Sequence, residues 1–253
     1  MLSSNLKKRL GKLKQKKYRK MFVEYVVEGR KGVEEALKHS EVVGVVIEGS
    51  RREEEQFASI IKTVEDEEIY IEYAKSTDID AIKSTETFPG VLAIVERPET
   101  DAYDFTLDEP VIVLDRINDP GNLGTIIRTA DWFGINHIII GEQSADPFNE
   151  KCVRATMGSI SRVNILESKN LKSTLTKLKE QEYTVAGFDI EGTTIADMKP
   201  LKKHALLFGS ESHGLHVDLR EFIDETYTID KFGQAESLNL AISAGIVMWQ
   251  LKK

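Results

Sequence analysis

The fold turns on residues 111–133: Val111-Ile112-Val113-Leu114-Asp115-Arg116-Ile117-Asn118-Asp119-Pro120-Gly121-Asn122-Leu123-Gly124-Thr125-Ile126-Ile127-Arg128-Thr129-Ala130-Asp131-Trp132-Phe133. Its opening apolar run, rich in β-branched residues, reads as a strand buried on both faces. Asp119-Pro120-Gly121 is a turn signal, and Asn122 reads as the N-cap of a following helix. Leu123, Ile126, Ile127, Ala130 and Phe133 recur at helical spacing and define a core stripe. Arg128 falls opposite that stripe, on the polar face near the helix start. Alone, it would read as a solvated surface arginine.

The same unit recurs downstream. Residues 137–140, 184–188 and 205–208 read as strands, and helical windows lie near 122–133, 149–160, 170–181 and 236–250. Continuous apolar strands separated by helices predict a parallel sheet covered on both faces, with ligands at the carboxyl ends of the strands. Upstream, residues 21–98 read as a smaller α/β unit, with strands at 42–47 and 91–95 and helices near 30–39, 53–65 and 77–83. Arg97-Pro98-Glu99-Thr100-Asp101 reads as a linker. The expected division is therefore a basic arm at 1–20, a small α/β unit at 21–98 and a larger domain at 108–253.

Composition narrows the function. The chain has 253 residues, 41% hydrophobic and 30% charged, which excludes a wholly disordered protein. No apolar run is long enough to span a membrane, and the basic N-terminus lacks the apolar stretch of a secretory signal. The single cysteine, Cys152, cannot form an internal disulfide or a cysteine-rich zinc site, so a metal-free cytoplasmic protein is expected. Charge is unevenly spread. Residues 1–20 hold seven lysines, two arginines and no acid, a +9 segment on a chain of net charge −8. A basic arm on an acidic body suits a phosphate backbone, with a plain solvated tail as the alternative. Lys16, Lys17 and Arg19 are its candidate contacts.

Two further clusters flank strands. Gly209-Ser210-Glu211-Ser212-His213-Gly214 is spaced like the first part of a phosphate loop, but Leu215-His216 stand where Lys and Ser or Thr are required. No strand-linked G-x-G-x-x-G occurs, which undercuts a nicotinamide-dependent oxidoreductase. A simple turn remains the alternative reading of the loop. Ser237-Leu238-Asn239 leads into Leu240–Trp249, a helix apolar almost all round that is expected to be buried on every side.

These clusters, in this order, resemble the SpoU (TrmH-like) family of RNA ribose 2′-O-methyltransferases, within the SPOUT superfamily. Asn122 to Arg128 is similar to its first motif, Gly209-Ser210-Glu211 with Gly214 to its second, and Ser237-Leu238-Asn239 to its third. Arg154-Ala155-Thr156-Met157-Gly158 resembles an intermediate Arg-x-Ser-x-Gly stretch, with Thr in place of Ser. Residues 21–98 are similar to the family's substrate-binding domain, notably at Val27-Glu28-Gly29-Arg30 and Thr85-Glu86-Thr87. After Ile229 the family usually continues Pro-Met, whereas this chain has Asp230-Lys231.

The resemblance implies an α/β fold whose C-terminal parallel-sheet domain carries a trefoil knot, beside a smaller N-terminal RNA-binding α/β domain. It implies S-adenosylmethionine at Gly209, Ile229, Ser237 and Leu238, RNA contacts at Arg30 and Arg154, and a homodimer with Ile242, Ile246 and Trp249 in its interface. Arg128 would act at the ribose hydroxyl, with Asn122, Glu211 and Asn239 supporting it and a Glu211–Arg128 ion pair orienting the guanidinium. An arginine is a poor base at neutral pH, so orientation and charge stabilisation are the expected role. Ribosomal RNA is favoured as substrate over transfer RNA. A non-catalytic RNA-binding protein of the same fold is the alternative class.

Overall fold

The computed structural model describes residues 2–84, 86–98, 108–199, 202–211 and 214–253. Thr85, Ser212, His213 and the 99–101 part of the expected linker lie outside the described residues. The chain divides into two compact units, residues 1–98 with 146–161, and residues 99–145 with 162–253. This differs from the expected boundaries at the segment 146–161, which belongs with the first unit.

The first unit is built on a four-stranded sheet. Its strands are β1 (Glu24–Glu28), β2 (Val42–Glu48), β3 (Tyr70–Ala74) and β4 (Val91–Glu96), in the order β1-β4-β2-β3, with only β2 and β3 parallel. Both faces are covered: Val26, Val46, Leu92 and Ile94 are buried, and so are the alternating Tyr25, Val27, Val45 and Ile47.

The basic arm is not a tail. It forms two helices, α1 (Ser4–Leu13) and α2 (Lys16–Phe22). Leu6, Leu10 and Leu13 recur at helical spacing and enter one hydrophobic cluster with Leu2, Ile79, Ile82 and Phe88. Arg19, expected at the RNA, is 2% exposed instead. It donates to Asp146 Oδ2 at 2.6 and 3.0 Å and to Leu13 O at 2.8 Å. A buried guanidinium needs such a set of acceptors. The helices α3 (Arg30–His39), α4 (Glu55–Asp66) and α5 (Ser76–Ile82) match the expected windows within two residues.

The second unit carries six parallel strands: β5 (Val111–Leu114), β6 (His137–Gly141), β7 (Asn164–Ser168), β8 (Thr184–Thr194), β9 (His204–Phe208) and β10 (Glu225–Thr228). Their order is β10-β8-β9-β5-β6-β7, so β5 lies between β9 and β6 in the interior of the sheet. All four residues of β5 are fully buried, as a continuous apolar run requires. The helix α6 (Pro120–Trp132) follows, with Leu123, Ile126, Ile127 and Ala130 buried as the periodicity predicts. The expected 149–160 helix is shorter: α7 (Glu150–Thr156), in the first unit, ends where Met157 and Gly158 take φ of 52° and 98°. The remaining helices are α8 (Leu171–Glu180) and α9 (Leu240–Leu251).

The helix α9 is not buried on every side. Ala241, Ala244, Val247, Met248 and Leu251 form its covered face, while Ile242 and Trp249 are about half exposed, at 55% and 52%.

Candidate active site

The polar residues just beyond the sheet strands converge in the second unit. Asp119, not Asn122, caps α6: its carboxylate accepts from the Asn122 N–H at 2.8 Å, and Pro120 takes the first helical position, where no N–H is needed. That frees the Asn122 side chain for longer-range contacts. Its Nδ2 donates to Glu211 Oε1 at 2.7 Å, and its Oδ1 accepts from Asn239 Nδ2 at 3.0 Å. Asn239 is itself the N-cap of α9, its Oδ1 accepting from the N–H groups of Ala241 and Ile242 at 2.9 and 3.3 Å. Three elements far apart in sequence are thereby tied at one point.

Glu211 sits in a tight reversal after β9. Ser210 and Gly214 exchange two backbone hydrogen bonds, each 3.0 Å. Gly209 must be glycine there, since a Cβ would lie 2.2 Å from the Gly214 carbonyl carbon. Residues missed by the sequence reading hold this loop from the end of β5. The buried Asp115 accepts from the His216 N–H at 3.1 Å, and Arg116 Nη2 donates to Gly214 O at 3.3 Å from a backbone with φ of 55°. Their signal was position: both directly follow a central parallel strand.

Arg128 is exposed on α6 and, among the described residues, forms no hydrogen bond or ion pair. The expected pair with Glu211 is not formed. Arg128 lies six positions past Asn122, about 9 Å of helical rise, and Glu211 is satisfied at the first turn. The guanidinium is left open to a ligand.

The loop 229–239 carries the other predicted cofactor residues. Its departure at Asp230 has a structural use, because Asp230 Oδ2 accepts from Thr194 Oγ1 at 2.7 Å and fastens the loop to the end of β8. Phe232 and Leu238 stand 98% and 49% exposed, and Ser237 is exposed rather than at a buried helix start. Phe208, which precedes Gly209, stacks on Phe188 with ring centroids 4.6 Å apart. The 229–239 loop is linked to the Gly209–Gly214 reversal through Asn239, Asn122 and Glu211. Among the described residues no cluster of His, Cys, Asp or Glu could hold a metal ion.

The remaining candidates lie in the first unit. Lys16 and Lys17 are exposed, Arg30 is exposed beside Glu34, and Arg154 donates to Ser84 Oγ at 2.6 Å.

Residues 109–249 match the model of the SpoU rRNA Methylase family, and residues 26–101 match that of the RNA 2′-O ribose methyltransferase substrate-binding domain. The chain is 33% identical to a Bacillus subtilis 23S rRNA (guanosine(2553)-2′-O)-methyltransferase, over 95% of this chain and 93% of that one. It resembles the AdoMet-bound rRNA methyltransferase of Sinorhizobium meliloti with a TM-score of 0.85 at 28% identity, covering 100% of this chain and 95% of that one. It shares its fold with the SpoU methyltransferase AviRb of Streptomyces viridochromogenes, with a TM-score of 0.90 at 24% identity over 99% and 97% of the two chains.

Proposed function

The chain belongs to the SpoU rRNA methylase family, which makes it an S-adenosylmethionine-dependent RNA ribose 2′-O-methyltransferase, and we propose that ribosomal RNA is its substrate and Arg128 its central catalytic residue. The observation that carries the residue assignment is the tie of Asn122 to Glu211 and Asn239 on the helix whose exposed Arg128, among the described residues, forms no hydrogen bond or ion pair. Bound S-adenosylmethionine supplies a methyl group already activated on a cationic sulfonium. Gly209, Ile229, Ser237 and Leu238 would hold it, between the glycine reversal and the 229–239 loop, with the knotted path of the family bringing these segments together.

What remains for the protein is to position and polarise the ribose hydroxyl. Arg128 would bridge that hydroxyl and the adjacent phosphate with its planar fork, stabilising charge that develops on oxygen. The Asn122–Glu211–Asn239 tie holds the loops in place and leaves the guanidinium free. The first unit, with Arg30, Arg154 and the lysines of α1 and α2, would supply RNA affinity. A second copy would cover Ile242, Ile246 and Trp249, making a homodimer, and a cytoplasmic location follows from the substrate.

The test is transfer of labelled methyl from S-adenosylmethionine to ribosomal and transfer RNA, followed by mapping of 2′-O-methylated positions. Transfer to ribosomal RNA is expected. Transfer confined to transfer RNA would overturn the substrate class, and binding of both ligands without transfer would favour a non-catalytic RNA-binding protein. Light scattering showing a monomer at micromolar concentration would remove the dimer.

A further inference from the structure

Eight of the nine cations of residues 1–20 fall into two groups. One group builds the fold. Lys7 pairs with Asp78 at 2.5 Å, Arg9 with Glu24, and Arg19 with Asp146, while Lys14 Nζ donates to the carbonyl of Lys83 at 2.9 Å. The other group includes Lys8, Lys12, Lys16 and Lys17, all exposed and in no ion pair among the described residues. Lys8 and Lys12 are one turn apart on α1, and Lys16 and Lys17 open α2.

Between these lysines lie two rings. Tyr18 and Phe22, one turn apart on α2, are stacked with centroids 5.9 Å apart. Lys12 Nζ stands 5.5 Å from the Tyr18 centroid and 5.8 Å from that of Phe22, and Lys17 Nζ stands 5.8 Å from Tyr18. Exposed Met21 and Val23 extend the apolar surface at the end of α2. Phe22 packs against the hydrophobic cluster of Leu6, Leu10 and Leu13, and Tyr18, stacked on it under Lys12 and Lys17, is the ring that a base can reach. Rings interleaved with lysines are what a strand with both phosphates and unpaired bases requires.

We propose that the Lys8, Lys12, Lys16, Lys17, Tyr18 and Phe22 face of α1 and α2 binds a single-stranded segment of the substrate RNA, with phosphates on the lysines and a base stacked on Tyr18. The proposal rests on the RNA reading above and adds to it the strandedness of the segment and the residue that senses it. In the free chain Lys12 and Lys17 lie over the ring. An arriving phosphate draws an ammonium aside, and a base takes the uncovered face.

The experiment uses the full chain, a short oligouridylate and an RNA duplex of equal length, with binding read by fluorescence anisotropy between about 50 and 300 mM salt. Tyr18→Leu should weaken oligouridylate binding roughly 5- to 100-fold, the range expected for one lost stacking contact, and leave the salt slope unchanged. Tyr18→Phe, which keeps the ring, should restore it. Lys12→Gln with Lys17→Gln should flatten the slope by about 0.7 per lost phosphate contact. S-adenosylmethionine binding, measured on each variant, should not move, and each variant should melt within about 4 °C of the parent. If Tyr18→Leu binds like the parent, or weakens duplex and single strand equally, the stacking role is wrong while the methyltransferase reading stands. If the parent binds S-adenosylmethionine but no RNA of either kind, the RNA reading falls and the platform with it.

Discussion

Asn239 serves two ends at once, and two substitutions separate them. Its Oδ1 caps α9 through the N–H groups of Ala241 and Ile242, while its Nδ2 reaches Asn122, which in turn holds Glu211. Asn239→Ala removes both functions. Loss of the cap costs about 1 kcal/mol, and loss of the amide–amide bond about 1 kcal/mol more, so a destabilisation of about 2 kcal/mol is expected. Asn239→Asp keeps the cap and loses only the amide–amide bond, and its charge at a helix N-terminus offsets part of that loss, so a destabilisation of no more than about 1 kcal/mol is expected. The donor, however, is gone. Asn122 would then either keep its bond to Glu211 and face the new carboxylate with its carbonyl oxygen, or flip, donate to position 239 and lose Glu211, so the three-way tie is broken either way. If that loop holds the cofactor, a contact worth about 1.4 kcal/mol appears as a tenfold weaker S-adenosylmethionine affinity or slower transfer. Urea denaturation followed by tryptophan emission reports on the second unit, since Trp132 and Trp249 both lie there. Calorimetric titration with S-adenosylmethionine and single-turnover transfer complete the comparison. Equal destabilisation of the two variants would refute the capping assignment, and parent-like binding and transfer by Asn239→Asp would refute the positioning role.

Other consequences are equally specific. Arg128→Ala should change stability by no more than about 0.5 kcal/mol, because the side chain is exposed and unpaired among the described residues, yet slow single-turnover transfer about 10²- to 10³-fold with cofactor affinity intact; Arg128→Lys should not rescue it. Asp146→Ala leaves the buried Arg19 charge uncompensated and should cost about 3–5 kcal/mol in urea denaturation, most of which Arg19→Met in the same chain should return. The Asp78 carboxyl is held down to about 2 by the Lys7 ammonium and the Leu2 N–H, from an ordinary 3.8. Its stabilisation is therefore fully present above the ordinary value and lost as pH falls through about 2, so the melting temperatures of the parent and Asp78→Asn should converge across that interval.

Much of this molecule was legible from local patterns. The buried run of β5, the stripe of α6 and the successive strand–helix units follow from apolar spacing, because a parallel sheet covered on both faces demands continuous apolar strands. The strands that went unread, β1, β3, β7 and β10, have sequences such as Glu-Tyr-Val-Val-Glu and Glu-Thr-Tyr-Thr, in which polar residues at sheet edges and ends blur the apolar signal. The motif residues Asn122, Arg128, Glu211 and Asn239 were also visible, since their residue types and order survive without coordinates. What the sequence could not decide was who pairs with whom. Asp119 displaced Asn122 from the cap, Asn122 rather than Arg128 took Glu211, and Arg19 left the basic surface for Asp146, 127 residues away. Each of these is a competition between acceptors or donors brought together by packing, settled by distances of a few ångströms between segments far apart in the chain. Local spacing carries the period of an element and the chemistry of its side chains; only the closed tertiary structure decides which of several suitable partners lies within hydrogen-bond reach.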